Sequence, residues 1–141
     1  MDYKELMRQA VEIRKRAYTP YSGYQVGAAL LGKSGRVYLG CNVENAAYSP
    51  GICGERTAFV KAVSEGEREF QAIAVIGGAA NGPLELAPPC GICRQVMREF
   101  CDPETFEIVL GTGPEDIQVY TLSQLLPLSF GPENLEKREN V

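Results

Sequence analysis

The stretch Pro88-Pro89-Cys90-Gly91-Ile92-Cys93-Arg94-Gln95, read with Cys53-Gly54-Glu55-Arg56 upstream, decides the fold of this chain. Both segments sit where an apolar helical pattern begins. They predict one helix from about Cys53 to Glu65, stopped by Gly66, and another from about Gly91 to Phe100. Between them, Ala72 to Ile76 is a continuous apolar run of the kind a buried central strand carries. Gly77 to Pro83 reads as loop, and its glycines precede no helix, so no phosphate-binding role is assigned to them.

Working outward, Leu6, Ala10, Ile13 and Ala17 recur at helical spacing, which predicts an amphipathic helix over 4–17, broken by Thr19-Pro20-Tyr21-Ser22-Gly23. Val26 to Leu31 and Val37 to Val43 are apolar runs joined by Gly32-Lys33-Ser34-Gly35, a hairpin, and 45–51 is a loop. Phe106 to Leu110 and Ile117 to Thr121 are the last strands, followed by a helical turn at Leu122 to Leu126 and a charged, peripheral segment over 132–141. The order α-β-β-α-β-α-β-β predicts a single α/β domain over 1–141, a three-layer α-β-α arrangement around a five-stranded mixed sheet.

Composition narrows the function. The chain has 141 residues, 45% of them hydrophobic, enough for one core. It contains no run of about 18 apolar residues, and its N-terminus lacks the apolar stretch of a secretory signal. Five cysteines, an odd number with two in a Cys-x-x-Cys pair, fit metal binding in a reducing compartment better than a disulfide framework. A cytoplasmic protein without a membrane partner is expected. The net charge of −4 argues against nucleic acid, since phosphate backbones demand a basic stripe. The only dense basic run, Arg14-Lys15-Arg16, closes a predicted helix, where cations complement the dipole.

The two cysteine clusters carry the chemistry. No histidine is present, so a metal bound here would be bound by sulfur. Cys53, Cys90 and Cys93 make three ligands; structural zinc is usually closed by four, while catalytic zinc keeps one position for water. Cys90 and Cys93, three apart on the first turn of a helix, can reach one ion. Helix starts favour the thiolate form. Three thiolates leave zinc with a formal charge of −1, so Arg56 and Arg94 are the candidates to hydrogen-bond sulfur and restore its acidity; Arg56, on the ligand-bearing turn, is favoured. Glu55 lies too close to Cys53 to be a fourth ligand on the same turn, but suits a general acid–base beside the attacking water. A lone Cys-x-x-Cys would more often be a structural or redox pair; the added Cys-x-Glu favours hydrolysis at an amidine-like carbon. Cys41 and Cys101 belong to no motif and read as small buried apolar residues.

From about Leu6 to Phe130 the chain resembles the small, homotetrameric cytidine deaminases. The resemblance rests on Tyr24-Gln25-Val26-Gly27-Ala28-Ala29-Leu30, Asn42-Val43-Glu44-Asn45-Ala46-Ala47-Tyr48, Cys53-Gly54-Glu55-Arg56-Thr57-Ala58 and Pro89-Cys90-Gly91-Ile92-Cys93-Arg94-Gln95. The last two are shared by related deaminases; the second discriminates, because its Asn-x-Glu matches the family's ribose reader. The resemblance implies one zinc per chain and hydrolysis of cytidine and 2′-deoxycytidine to the uridine products in pyrimidine salvage. It assigns Asn42 and Glu44 to the ribose 3′-hydroxyl, the Gly54 backbone N–H to the base, Tyr24 to the nucleoside's surroundings, and Phe130 and Tyr48 to a neighbouring subunit's site. Taken alone, Phe130 is an ordinary C-terminal core aromatic, and Asn42 and Glu44 could simply cap a turn. Tyr24 stands where the family usually has Phe, Gly54 where it has Ala, and Gly51-Ile52 also departs locally. A blasticidin-type aminopyrimidine deaminase and a non-catalytic zinc module are the alternatives; the first would lack Asn-x-Glu, and the second would need a fourth protein ligand.

Overall fold

The computed structural model of the chain describes residues 1–135. Its elements run α1 (Tyr3–Arg14), β1 (Tyr24–Gly32), β2 (Val37–Cys41), α2 (Gly54–Ser64), β3 (Phe70–Ala79), α3 (Gly91–Phe100), β4 (Glu107–Gly113), β5 (Asp116–Thr121) and a short α4 (Leu122–Leu125). The strands form one sheet in the order β2-β1-β3-β4-β5. β1 pairs antiparallel with both β2 and β3, β3 pairs parallel with β4, and β4 antiparallel with β5. α2 carries the chain past β1 from the edge strand β2 to β3, and α3 supplies the crossover that the parallel β3–β4 pair needs. The mixed five-stranded sheet and its three layers are those expected.

Alternation along β1 sorts the two cores. Ala28 and Leu30 join Phe59, Phe106, Ile73 and Met97 on the face covered by α2, α3 and α4. Ala29 and Leu31 join Leu6, Met7 and Ala10 on the face covered by α1. β3, central and fully buried from Ala72 to Ile76, contributes to both.

Several boundaries differ from the expected ones. α1 stops at Arg14 rather than 17, its chain tightening into turn bonds from Lys15, Arg16 and Ala17 to the carbonyls three residues back. Arg14 is not a solvated dipole partner. It is buried, and its Nη2 donates to the carbonyls of Gly78 and Ala79 at 3.1 and 2.8 Å, tying α1 to the end of β3. β3 runs on to Ala79 through glycines expected to lie in a loop. β2 ends at Cys41 instead of Val43 because the Asn42 side chain takes over the pairing: its Oδ1 accepts from Val26 N at 2.8 Å and its Nδ2 donates to Tyr24 O at 2.9 Å. α2 ends as expected before Gly66, whose φ of +101° lies in the left-handed region that glycine occupies freely. Of the segment expected to be peripheral, Pro132–Asn134 forms a single 3₁₀ turn against Arg98, which pairs with Glu133; positions 136–141 lie outside the described residues.

Candidate metal and nucleoside site

The N-termini of α2 and α3 meet. Cys53 and Cys90 are their N-caps, both in extended conformation, and neither helix has a side-chain cap. The first-turn N–H groups, which a Ser or Asp cap would normally occupy, are left to favour negative charge on sulfur. Cys93 follows on the first turn of α3, buried. Cys53 Sγ lies 3.9 Å from Cys90 Sγ, and Cys90 Sγ 3.5 Å from Cys93 Sγ. A tetrahedral zinc with sulfur at about 2.3 Å requires sulfurs roughly 3.8 Å apart, so the spacing fits one ion. Among the described residues no other group of His, Cys, Asp or Glu side chains gathers in this way. Cys41 is half-buried in β2 and Cys101 is buried at the end of α3, its thiol pushed up by burial; both stand apart from the cluster.

The thiols influence one another's protonation. A hydrogen bond from Cys93 pulls Cys53 down to about 5, helped by Arg56 and Cys90, while Cys93 is pushed far up by its bond to Cys53, by burial and by the nearby Glu55 charge. The Arg56 Nη2 reaches Cys53 Sγ at 3.6 Å from the first turn of the same helix. Arg94, the other candidate, is occupied elsewhere: its Nε donates to Pro89 O at 2.7 Å and its Nη1 to Leu125 O at 2.5 Å. Glu55 is 4% exposed, and burial, reinforced by the charge on Cys53, raises its carboxyl to about 7.

Beside Cys53 opens a cavity of about 460 Å³ lined by Asn42, Glu44, Tyr48, Arg56 and the Tyr21-Ser22 turn, among others. Thus the two expected sugar contacts, Asn42 and Glu44, share one cavity with a cluster cysteine, and Tyr48, expected to serve a neighbouring subunit's site, borders this cavity of its own chain as well. Tyr24, Gly54 and Phe130 are not among its lining residues. Tyr24 is half-buried on β1, where its hydroxyl would meet any side chain placed on Gly77. Gly54 is buried; a Cβ there would come within 3.1 Å of Val26 O, so alanine would require only a small adjustment. Phe130 is 59% exposed, its carbonyl held by Gln95 Nε2 at 2.9 Å, and Tyr48 is 79% exposed.

Glu44 is held firmly. Its Oε1 accepts from the backbone N–H groups of Tyr21 and Ser22, both at 3.1 Å, and its Oε2 accepts from the Ser22 hydroxyl. Tyr21 and Ser22, which in the sequence mark only a helix break, meet Glu44 across separations of 23 and 22 residues, so no local pattern signals the contact. Gly40 is a second residue outside the expected site. A Cβ on it would meet the Gly54 carbonyl and the Ala58 amide at 2.5 Å, so only glycine lets α2 sit directly on β2. A glycine inside a strand pattern is the signal that marks such an approach.

Residues 1–109 match the family model described as the cytidine and deoxycytidylate deaminase zinc-binding region. The chain belongs to this deaminase family. It is 47% identical to the cytidine deaminase of Sporosarcina psychrophila over 135 residues, 96% of each chain. It is 35% identical to that of Mycobacterium tuberculosis (strain H37Rv), covering 97% of this chain and 96% of the relative. Among solved structures, the cytidine deaminase of Burkholderia pseudomallei superposes with a TM-score of 0.82 at 46% identity, covering 92% of this chain and all of the other. The cofactor of this family member is zinc, and the Cys53, Cys90 and Cys93 sulfurs converge as one such ion requires.

Proposed function

We propose that this deaminase hydrolyses cytidine and 2′-deoxycytidine to uridine and 2′-deoxyuridine, releasing ammonia. The observation that carries the reading is the convergence of Cys53, Cys90 and Cys93 beside the buried carboxylate of Glu55. Cys53, Cys90 and Cys93 would hold the zinc, which when bound would supply the Lewis acidity that brings the attacking water's pKa near neutral. Arg56, donating to Cys53 Sγ, offsets the electron density of three sulfurs. Glu55 takes a proton from the attacking water as the C4–O bond forms and delivers it to N3 of the base, then carries the remaining hydroxyl proton to the exocyclic amine, so that the C4–N bond breaks and ammonia leaves. The Gly54 N–H, at the start of α2, orients the base, beside Tyr24.

Asn42 and Glu44 bind the ribose 3′-hydroxyl. Each has capacity left: the Asn42 amide has one N–H beyond that given to Tyr24 O, and the Glu44 carboxylate has a lone pair beyond its three donors. A hydroxyl can accept from the first and donate to the second. Tyr48 and Phe130, both exposed, complete the site of a neighbouring subunit in a homotetramer. The protein acts in pyrimidine salvage in the cytoplasm; no described helix is long and apolar enough to cross a membrane. A non-catalytic module would need a fourth ligand, and the described cluster has three. The named relatives are cytidine deaminases, and Asn-x-Glu is present, which weighs against a blasticidin-type substrate.

The test is incubation of zinc-loaded protein with cytidine and with its 5′-monophosphate. Stoichiometric uridine and ammonia from cytidine are expected. The monophosphate should react far more slowly, since its charge would approach Glu44 with no helix-opening glycine loop to cradle it. Absence of turnover sinks the activity, and equal kcat/KM for the two sinks the nucleoside assignment.

A further inference from the structure

We propose that Ser22 is a positioning residue for sugar recognition, its hydroxyl fixing Glu44 so that one lone pair of the carboxylate remains for the nucleoside. The inference rests on the reading of Glu44 as a ribose contact and adds a residue to it.

A hydroxyl has one proton to give. Ser22 Oγ accepts from Tyr24 N at 3.0 Å, and a carboxylate can only accept, so the Ser22 proton goes to Glu44 Oε2. The bonds run in one direction, Tyr24 N–H to Ser22 O–H to Glu44. An ionised carboxylate has about four acceptor positions. Two on Oε1 are taken by the Tyr21 and Ser22 amides and one on Oε2 by the Ser22 hydroxyl, which leaves one, on a residue that lines the cavity.

The turn bearing Ser22 is itself anchored. Tyr18 N donates to Asn42 O and Glu44 N donates to Tyr18 O, at 3.0 and 2.9 Å, while Gly23 O accepts from Ala80 N at 2.9 Å. Ser22 therefore links a fixed turn to the side chain that meets the sugar. The same hydroxyl is the foremost cause holding Glu44 below the usual carboxylate range, so the group stays ionised as an acceptor. Without the hydroxyl, Oε2 has two open positions and the carboxylate is held through Oε1 alone, by the Tyr21 and Ser22 amides, so neither position on Oε2 is selected for the sugar.

Steady-state kinetics of zinc-loaded wild type, Ser22→Ala and Ser22→Thr on cytidine and 3′-deoxycytidine test this. The wild type should prefer cytidine through KM. Ser22→Ala should raise KM for cytidine about tenfold, the scale of one hydrogen bond to a charged group, with kcat within about twofold. Its constants for 3′-deoxycytidine, which lacks the hydroxyl Glu44 would accept from, should not move, so the preference collapses; Ser22→Thr should restore it. An alanine variant that keeps the full preference, or that weakens both substrates equally, overturns the role of Ser22 while leaving Glu44's intact. A wild type indifferent to the 3′-hydroxyl overturns the ribose reading, and Ser22's part with it.

Discussion

A methyl group on Gly40 of β2 would lie 2.5 Å from the carbonyl oxygen of Gly54, the first residue of α2. The close approach of helix to strand sets the depth at which Cys53 and Glu55 enter the site. Gly40→Ala should force α2 outward, with an overpacking cost of about 1–3 kcal/mol. Both Tm and zinc retention against a chelator should fall. Wild-type values for both would show that the contact does not set the site.

Cys90 caps α3 and belongs to the sulfur cluster. Cys90→Ala should lose zinc and destabilise both helix starts, because ligand loss forfeits folding free energy. Elemental analysis checks this, and full occupancy in the variant would remove Cys90 from the ligand set.

Glu55 is buried beside the cluster without belonging to it. Glu55→Gln should keep zinc and fold but lose at least ~10²-fold in kcat, the low end for a general acid–base. Loss of zinc along with activity would instead make Glu55 a ligand.

Arg56 should act on the reaction through Cys53 sulfur. Arg56→Gln removes the Nη2 donor at 3.6 Å, and activity or metal affinity should drop about 10- to 100-fold. Measuring kcat and zinc content together separates the two routes; neither changing would leave Arg56 without this role.

Phe130 and Tyr48 protrude from the chain that carries them. Light scattering should find a symmetric oligomer, a tetramer, and Phe130→Ala should raise KM for cytidine by the equivalent of about 0.5–1.5 kcal/mol of aromatic stacking. A fully active monomer would contradict the shared site.

The element order, the two helix starts and the three sulfurs of the cluster are legible in the chain before it folds. Those features are local: apolar spacing, Gly and Pro punctuation, and cysteines one helical turn apart are written in neighbouring residues. Strand ends were less legible, because Asn42 replaces two residues of β2 with its own amide, and that depends on where Tyr24 and Val26 lie. The ligand-bearing turn already favours Arg56 over Arg94, and the tertiary structure agrees, placing Arg56 Nη2 on Cys53 Sγ and occupying Arg94 with the carbonyls of Pro89 and Leu125. Only the tertiary structure turned Arg14 inward, reserved Gly40 for a passing helix, and set Ser22 against Glu44. These are contacts between residues far apart in the chain, governed by the packing of helix on sheet and loop on strand end, and no local pattern encodes them.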